Sequence, residues 1–183
     1  TISWDTAHKE IGATLNQLKE ANEPVVLLTG TLASPSTEQL ISDFTAAFPN
    51  IKHVTYDAIS ESGTADAFEE MFGERAVPNY HFDKAHTIVS FGADFIGDWQ
   101  GGFEKGYAAS RNPDSGHMSY LVQFEANMSL TGANADKRVV TKPSDQVFAL
   151  INLYNTITGA SLPSKATPVD AHIKEVAKAL KKS

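Results

Sequence analysis

Four polar turns in this sequence could carry chemistry, because each follows a stretch that predicts a buried strand. They read "TGTLASPS", "YDAISESG", "FGADFIGDWQGG" and "FEANMSLTGANAD". In parallel α/β sheets, ligands collect beyond the carboxyl ends of the strands. Glycine, hydroxyls and a helix start in the first turn favour anion binding, but the lysine of a P-loop is missing. A phosphate bound at these turns would instead meet the carboxylates of Asp57, Glu61, Asp94, Asp98 and Glu125.

Catalytic and metal-binding arrangements have little support in the sequence. Ser60 lies near His53 and acidic residues, but no GxSxG nucleophile turn surrounds it. His81 and His86 lie at i and i+5, whereas metal-binding helices of the HExxH type use i and i+4. There is no cysteine, which removes thiolate ligands for zinc or iron–sulfur clusters. We therefore expect no catalytic residue and no metal ligand in this sequence.

Length, composition and net charge limit the number of domains and the kinds of partner that we expect for this chain. A length of 183 residues, 42% of them hydrophobic, predicts one domain over residues 1–183. The net charge of −7 argues against nucleic acid and against an anionic membrane surface as partners. No apolar run approaches the roughly 20 residues that span a bilayer, so we expect no direct membrane insertion. The opening "TISWDTAHKE" has no basic and apolar leader, which predicts a cytoplasmic protein or a piece of a longer exported one.

The elements that must position the turns alternate between strands and helices. Five strands are predicted, at "PVVLLTG", "KHVTYDA", "HTIVSFG", "YLVQFEA" and "KRVVTKP". The first of them is continuously apolar, which predicts a strand covered on both faces. Strands that alternate with helices form right-handed crossovers and a parallel sheet. The fold class is therefore α/β, a three-layer αβα sandwich with a mainly parallel, Rossmann-like sheet.

Five helices are predicted from capping residues and apolar periodicity. Ser3 and Ser34 are the expected N-caps of the first two helices, with Pro35 at the first position of the second. Gly73 and Gly159 are expected to end the third and fourth helices, and Thr167 with Asp170 forms an acidic capping box for the last. The predicted buried faces, in chain order, are Ile11, Leu15 and Leu18; Leu40, Phe44 and Ala47; Ala67, Phe68, Met71 and Phe72; Val147, Leu150, Ile151 and Tyr154; and Ile173, Val176, Ala177 and Leu180.

The segment from Phe95 to Met118 is long, rich in glycine and aromatic. A loop of this length in a compact domain is often functional or contacts a partner. Two interpretations remain open at this point: the apolar side chains anchor a partner, or they cover a cleft of their own domain. The side chains concerned are Phe95, Ile96, Trp99, Phe103 and Tyr107.

The order of several motifs resembles the molybdopterin oxidoreductase family, the group around dimethyl sulfoxide reductase. The motifs are "ISWDTAHKEIG", "LLTGTLASPSTEQLISDFTAAFPN", "FGERAVPNYHFDKAHTIVSFGADF" and "GANADKRVVTKPSD". The resemblance implies that Ser60 stands at the molybdenum-ligating position and that "GAD" replaces the family's GSN triplet. It also implies that the segment from Glu125 to Asp136 matches DPRxTxTAxxAD. The cofactor-binding positions it implies are Ser60, Gly92, Asp94, Glu125, Asn127, Ser129 and Thr131.

At these positions the sequence departs from the family pattern. Asp94 introduces a negative charge, and Asn127 stands where the family has an arginine that would hold a polyanionic cofactor. These losses are most similar to the molybdopterin-like part of the large iron–sulfur subunit of alternative complex III, a quinol:cytochrome c oxidoreductase.

That branch implies a cofactor-free domain with a structural role in a membrane-associated respiratory complex. Its partners would be the other subunits and the iron–sulfur domain of the same parent protein. Its location would be the periplasmic face of the cytoplasmic membrane, or the cytoplasm if the resemblance fails. One alternative is a domain of an active enzyme that binds the molybdopterin guanine dinucleotide. A second is an unrelated α/β domain that binds a nucleotide or small molecule.

Overall fold

The computed structural model describes residues 1–32, 34–60, 62–116 and 118–183. The protein is α/β, with parallel sheets flanked by helices as in an αβα sandwich, so the predicted fold class is confirmed. The chain divides into two compact units, Thr1–Pro78 and Asn79–Ser183. The single domain expected over residues 1–183 stays a prediction. Glu61, one of the five carboxylates predicted at the strand ends, lies outside the described residues.

The first unit is a βαβ crossover with a helix on either side in sequence. Strands β1 and β2 pair in parallel, with Val25 opposite Ile51 and Thr29 opposite Thr55. The crossover helix α2 packs on β2. The elements are α1 (Trp4–Glu20), β1 (Val25–Thr29), α2 (Pro35–Ala47), β2 (Ile51–Thr55) and α3 (Ser62–Phe72).

Helix ends in the first unit follow the predicted signals. The Ser3 Oγ accepts a hydrogen bond from the backbone N–H of Thr6 at 3.1 Å, and Ser34 caps α2 in the same way through Thr37. Gly73 directly follows α3 with φ of 78°, a left-handed conformation that favours glycine. The predicted caps are therefore confirmed. They could be predicted because capping depends on residues within one helical turn of each other, which can be read from the sequence.

The predicted buried faces of the first unit are largely wrong. Ile11, Leu40, Met71 and Phe72 are exposed, and Ala47 and Ala67 are exposed too. On β1, Val26 and Leu28 are exposed, so this strand is not covered on both faces in the described residues. A sheet of two strands offers a narrow surface, and it leaves parts of the apolar stripes uncovered.

The second unit carries three parallel strands in the order β3-β4-β5. The five predicted strands are therefore all present, divided between two sheets. Helix α4 and two 3₁₀ turns, Phe82–Lys84 and Pro113–Ser115, were not predicted, nor was the short helix α5. The elements are β3 (Thr87–Phe91), α4 (Phe103–Ala109), β4 (Tyr120–Glu125), α5 (Leu130–Ala133), β5 (Lys137–Val140), α6 (Pro143–Thr158) and α7 (Asp170–Leu180).

The two faces of the three-stranded sheet differ in chemistry. Because side chains alternate along a strand, Val122 and Phe124 of β4 point to one face and pack with α6 and α7. Leu121 points to the other face and packs with Phe95 and Tyr107. Towards the strand ends the second face turns polar, because the register aligns Ser90, Gln123 and Arg138.

Helix α7 buries the predicted stripe, but α6 does not. Ile173, Val176 and Ala177 are buried, which confirms the prediction for α7. On α6 the buried residues are Ala149 and Leu153, while Val147, Leu150 and Tyr154 of the predicted face are exposed. Periodicity identified an apolar stripe on α6, but the helix turns a different one towards the sheet.

The aromatic segment after β3 packs into its own unit. Phe95, Phe103 and Tyr107 are buried in the cluster that covers Leu121, and Ile96 and Trp99 pack against that cluster partly buried. The interpretation that these residues cover a cleft of their own unit therefore fits Phe95, Phe103 and Tyr107, whereas their role as anchors for a partner stays a prediction.

Within the described residues, no helix is both long and apolar enough to cross a bilayer.

Candidate functional site

Six of the seven predicted cofactor positions meet at the carboxyl ends of β3 and β4. A cavity of about 530 Å³ opens there. Thr131 sits beside it and contacts Asp94. Ser60 belongs to the first unit, where its Oγ accepts a hydrogen bond from the N–H of Ser62 at 3.0 Å, at the start of α3. The predicted positions that line the cavity are Gly92, Asp94, Glu125, Asn127 and Ser129.

The turn after β3 requires glycine at its first position. Gly92 has φ of 70°, and its N–H donates to the Phe124 carbonyl at 2.8 Å. A Cβ added to Gly92 would lie 3.1 Å from the Gln146 Oε1, so an added side chain would be strained and crowded. The turn therefore begins with a left-handed glycine, and Gln146 of α6 lies close against it.

The Asp94 carboxylate is bound by the turn that follows β4. Its Oδ1 accepts hydrogen bonds from the N–H of Thr131 at 2.8 Å and from the Thr131 hydroxyl at 2.7 Å. The Gly97 N–H donates to the same oxygen at 3.2 Å. Partial burial raises the pKa of Asp94, but the hydrogen bonds from Thr131, Leu130 and Gly97 together outweigh burial and hold this pKa below its ordinary value. The carboxylate is thus ionised and holds the two turns together.

Glu125 at the end of β4 is the most buried acid of the site. Its side chain is 4% exposed and accepts from the Arg138 Nε at 2.5 Å and from the Ser129 Oγ at 2.6 Å. The pKa of Glu125 is raised by burial, yet the hydrogen bonds from Ser129, Arg138 and Gln123 together bring it below its ordinary value. The Arg138 guanidinium neutralises the Glu125 carboxylate.

The first turn of α5 is built around the Glu125 carboxylate. The Ser129 Oγ donates to Glu125 and accepts from the Gly132 N–H at 2.9 Å, which makes Ser129 the N-cap. A Cβ added to Gly132 would lie only 1.9 Å from the Glu125 Oε1. Glycine is therefore required at position 132 by a close approach to this carboxylate.

Gln123 and Arg138 are site residues that the sequence reasoning missed. Gln123 is fully buried, its Nε2 donates to the Ala93 carbonyl at 3.1 Å, and its Oε1 has no partner among the described residues. A glutamine two positions before Glu125 in an apolar strand was an available signal, since strand residues i and i+2 share a face. Arg138 gave no such signal, because its approach to Glu125 depends on the register of β5 against β4.

The cavity is electrostatically negative at its walls. Among the described residues that line it, three are acidic, Asp94, Asp98 and Glu125, and none is lysine or arginine. Asn127 is exposed at its rim. Two like charges about 4 Å apart repel by roughly 1 kcal/mol in water and about 4 kcal/mol at a protein surface. This lining opposes a phosphate-bearing ligand.

The first unit shows the same arrangement at the end of β1. Asp57 Oδ1 accepts from the N–H of Thr31 at 2.8 Å, and Asp57 Oδ2 accepts from the Thr31 hydroxyl. These two bonds, the hydroxyl first, lower the pKa of Asp57. The side chain lies 3.1 Å from where a Gly30 Cβ would stand. At the turn "TGTLASPS", an amide that could hold an anion is already occupied by this carboxylate.

The histidine motif "HFDKAH" does not form a cluster of metal ligands in the described part of the chain. The His81 Nδ1 lies 3.8 Å from the Asp83 Oδ1. No group of three or more His, Cys, Asp or Glu side chains converges on one point among the described residues.

Comparison with known protein-family models and with curated proteins gives no match for this chain.

Proposed function

We propose that this chain is a cofactor-free domain of the molybdopterin-oxidoreductase type, with a structural role in a membrane-associated respiratory complex. The complex is of the quinol:cytochrome c oxidoreductase kind. Its other subunits and an iron–sulfur domain of the same parent protein are the proposed partners. The proposed location is the periplasmic face of the cytoplasmic membrane. The chain contributes no redox centre of its own under this proposal.

The observation that carries the proposal is the state of the two strand-end carboxylates. Asp94 and Glu125 stand at family cofactor positions, and both are bound by residues of this chain. Hydrogen-bonding groups that a cofactor would need, at Ser129, Thr131 and Arg138, are engaged by these acids. A phosphate ligand would have to break those bonds and approach the carboxylates of Asp94 and Asp98, while the charge of Glu125 is neutralised by Arg138. The two carboxylates accept the hydrogen bonds that the anionic groups of a ligand would otherwise accept.

The proposal accounts for the left-handed turn at Gly92 in a domain that binds no cofactor. The bond between Asp94 and Thr131 joins the turn after β3 to the turn after β4. The bond between Glu125 and Ser129 fixes the turn after β4 to the end of its own strand. A charged hydrogen bond of this kind contributes about 1.5–3 kcal/mol. The turn geometry is then needed for stability of the unit, without any ligand.

One observation favours the alternative, a domain that binds part of the guanine dinucleotide cofactor. The cavity volume of about 530 Å³ falls within the range of small-molecule sites, and the Gly92 turn keeps its left-handed backbone. The alternative needs a positively charged cavity lining to hold the phosphates of the cofactor, whereas the proposal is compatible with the acidic lining.

A titration with guanosine diphosphate separates the two. We expect no binding to the wild-type chain up to about 1 mM, and measurable binding after Asp94→Asn with Asn127→Arg, which removes one repulsion and adds one attraction. Each 1.4 kcal/mol gained would tighten binding about tenfold. Isothermal calorimetry gives the affinity, and circular dichroism confirms that each variant is folded.

The control carries the same change of net charge away from the cavity, Asp114→Asn with Asn79→Arg. Neither residue lines the cavity, so this variant is expected to remain without binding. Stoichiometric, tight binding of the nucleotide by the wild-type chain would refute the proposal and support the alternative.

A further inference from the structure

Strand β3 lies at one end of the three-stranded sheet, and β4 is its only neighbouring strand among the described residues. The His86 carbonyl accepts a hydrogen bond from β4 at 2.8 Å, and the Gly92 N–H donates one to β4 at 2.8 Å. Successive residues of a strand direct their backbone groups to opposite sides within the sheet. Since residues 86 and 92 bond to β4, Val89 and Phe91 direct their N–H and C=O groups to the outer edge.

The outer edge of β3 lacks the features that normally prevent a further strand from pairing. Natural edge strands carry charged residues, proline or a bulge. The sequence of β3, "TIVSF", has no charge and no proline, and its register against β4 runs without a bulge from Thr87 to Phe91. The opposite edge strand, β5, begins with Lys137 and Arg138. The outer edge of β3 therefore presents backbone donors and acceptors that an extended chain can pair with.

A cavity of about 290 Å³ opens along this edge. It contacts all four residues from Ile88 to Phe91, and side chains alternate between the two faces of a sheet, so the cavity lies beside the edge of the strand. Its volume is at the lower limit of small-molecule sites, which suits one side chain of a bound peptide. The aromatic residues that line it are Tyr80, Phe82, Phe91, Phe95 and Trp99.

The lining and surroundings of this cavity favour a cationic side chain. The faces of aromatic rings attract arginine and lysine. Among the described residues that line the cavity, none is lysine or arginine. Asp83 directly follows Phe82, and Asp98 directly precedes Trp99; both aspartates are exposed. With a net charge of −7, the chain attracts a basic segment and repels an acidic one.

We propose that the outer edge of β3 binds an extended basic segment of a partner protein, which adds a strand to the sheet and places an arginine or lysine side chain in the aromatic cavity. The unpaired backbone groups select an extended chain, and the rings select the cationic side chain. The bound segment lies beside β3 and not in the strand-end cavity. Its binding therefore does not rest on the proposed function.

The first test uses the blocked peptide Thr-Val-Arg-Val-Thr, titrated up to about 1 mM. Binding is followed through the emission of Trp99 in a Trp4→Phe background, where it is the remaining tryptophan and lines the cavity. We expect saturable binding, weakened at least about tenfold when leucine or glutamate replaces the arginine. No binding of the arginine peptide, or equal binding of the leucine peptide, overturns the proposal.

The second test asks whether the peptide pairs as a strand. One peptide is N-methylated at both valines, and another at the arginine and the last threonine, so that each loses the donors on one side of the strand. Strand pairing predicts that one of them binds at least about tenfold more weakly while the other keeps its affinity. Equal affinity of the two peptides, which have the same charge, overturns strand addition.

A variant of β3 tests the same pairing from the side of the protein. Val89→Pro removes an outward N–H and keeps the bonds to β4, because proline is tolerated where the N–H of an edge strand faces solvent. We expect at least about tenfold weaker binding of the arginine peptide, and Val89→Ala, which retains the N–H, is the matched control. Unchanged binding by a folded Val89→Pro chain overturns the proposal. If this variant does not fold, the two methylated peptides decide the point.

The role of the rings is tested at Tyr80, which lines the cavity. Tyr80→Leu should weaken binding of the arginine peptide and leave the weak binding of the leucine peptide unchanged. Tyr154→Leu, on helix α6, is the matched control and should change neither. Circular dichroism confirms that each variant is folded. An equal effect of Tyr80→Leu on both peptides overturns recognition of the cation by the rings.

Discussion

The Oδ1 of Asp94 accepts hydrogen bonds from both the backbone N–H and the hydroxyl of Thr131, a residue 37 positions further along the chain. Thr131 is fully buried, and its Oγ1 also accepts from the Ile96 N–H at 3.0 Å. One threonine therefore links the turn after β3 to the turn after β4.

Thr131→Val removes the hydroxyl and keeps the shape of the side chain. We expect the free energy of unfolding to fall by about 1.5–3 kcal/mol, because a carboxylate loses a charged hydrogen bond. Urea unfolding followed by Trp99 fluorescence measures this in a Trp4→Phe background, where Trp99 is the remaining tryptophan. The control is Thr141→Val, since the buried Thr141 donates only to a carbonyl, and it should cost about 0.5–1.5 kcal/mol. An equal loss of unfolding free energy in the two variants would show that the hydrogen bond to Asp94 stabilises the fold no more than a bond to a carbonyl.

Gly132→Ala places a methyl group against the Glu125 carboxylate. Since the added Cβ would lie 1.9 Å from Oε1, the acid or the helix must move, and we expect a loss of about 1–3 kcal/mol. Gly12→Ala is the comparison, because a Cβ there meets nothing within 4 Å and should stabilise α1 by about 0.4–1 kcal/mol. Thermal unfolding of both variants decides the point, and a neutral Gly132→Ala would contradict the close packing described.

Arg138→Met leaves the Glu125 carboxylate buried without its charged partner. Breaking a buried pair from one side costs about 3–5 kcal/mol. Adding Glu125→Gln to this variant should restore much of the loss, because the unpaired charge is gone. Lys137→Met is the surface control: Lys137 pairs with the exposed Glu175, so we expect little change in stability. If the single and double variants are equally unstable, the charge of Glu125 is not the cause.

Stability should depend on Asp94 in acid. Its pKa is lower in the folded chain than in the unfolded chain, so its contribution is complete above the ordinary carboxyl pKa of about 4 and is lost as the pH falls through the folded value. Asp94→Asn is therefore expected to lose less stability than the wild type as the pH is lowered below about 4. Thr131→Val should flatten the profile in the same window, since it removes bonds that lower the pKa. Unfolding curves recorded at a series of pH values test this, and an unchanged slope in both variants would be inconsistent with it.

Much of the fold was predictable because its determinants are local. Ser3, Ser34, Gly73 and Gly159 act within one helical turn, and all five strands lie where short strand segments were predicted. The buried side of α6 was not predictable, because the helix has two apolar stripes and only tertiary packing selects Ala149 and Leu153.

The site was predictable in outline and not in its bonding. Parallel strands end at one edge, which brings Gly92, Asp94 and Glu125 together as expected. That Arg138 neutralises Glu125 depends on the register of β5, and that Thr131 binds Asp94 depends on how two turns pack. Neither the register nor the packing leaves a periodic signal in the sequence.

Phe103→Ala tests the role of the aromatic segment. Phe103 is buried beside Phe95 and Trp99, so truncation should cost about 3–5 kcal/mol. Phe72→Ala is the matched aromatic control, because Phe72 is exposed and its loss should stay within about 0.5 kcal/mol. Chemical unfolding supplies both values. Retained stability in Phe103→Ala would return this segment to the role of a free contact surface.

We propose that the strand-end site carries no cofactor because Asp94 and Glu125 occupy its hydrogen-bonding groups. Native mass spectrometry tests it most directly, on protein purified from a host that makes the molybdopterin guanine dinucleotide, with molybdenum determined on the same sample. We expect the mass of the polypeptide alone and no stoichiometric molybdenum. A mass increase equal to one guanine dinucleotide cofactor per chain would contradict it.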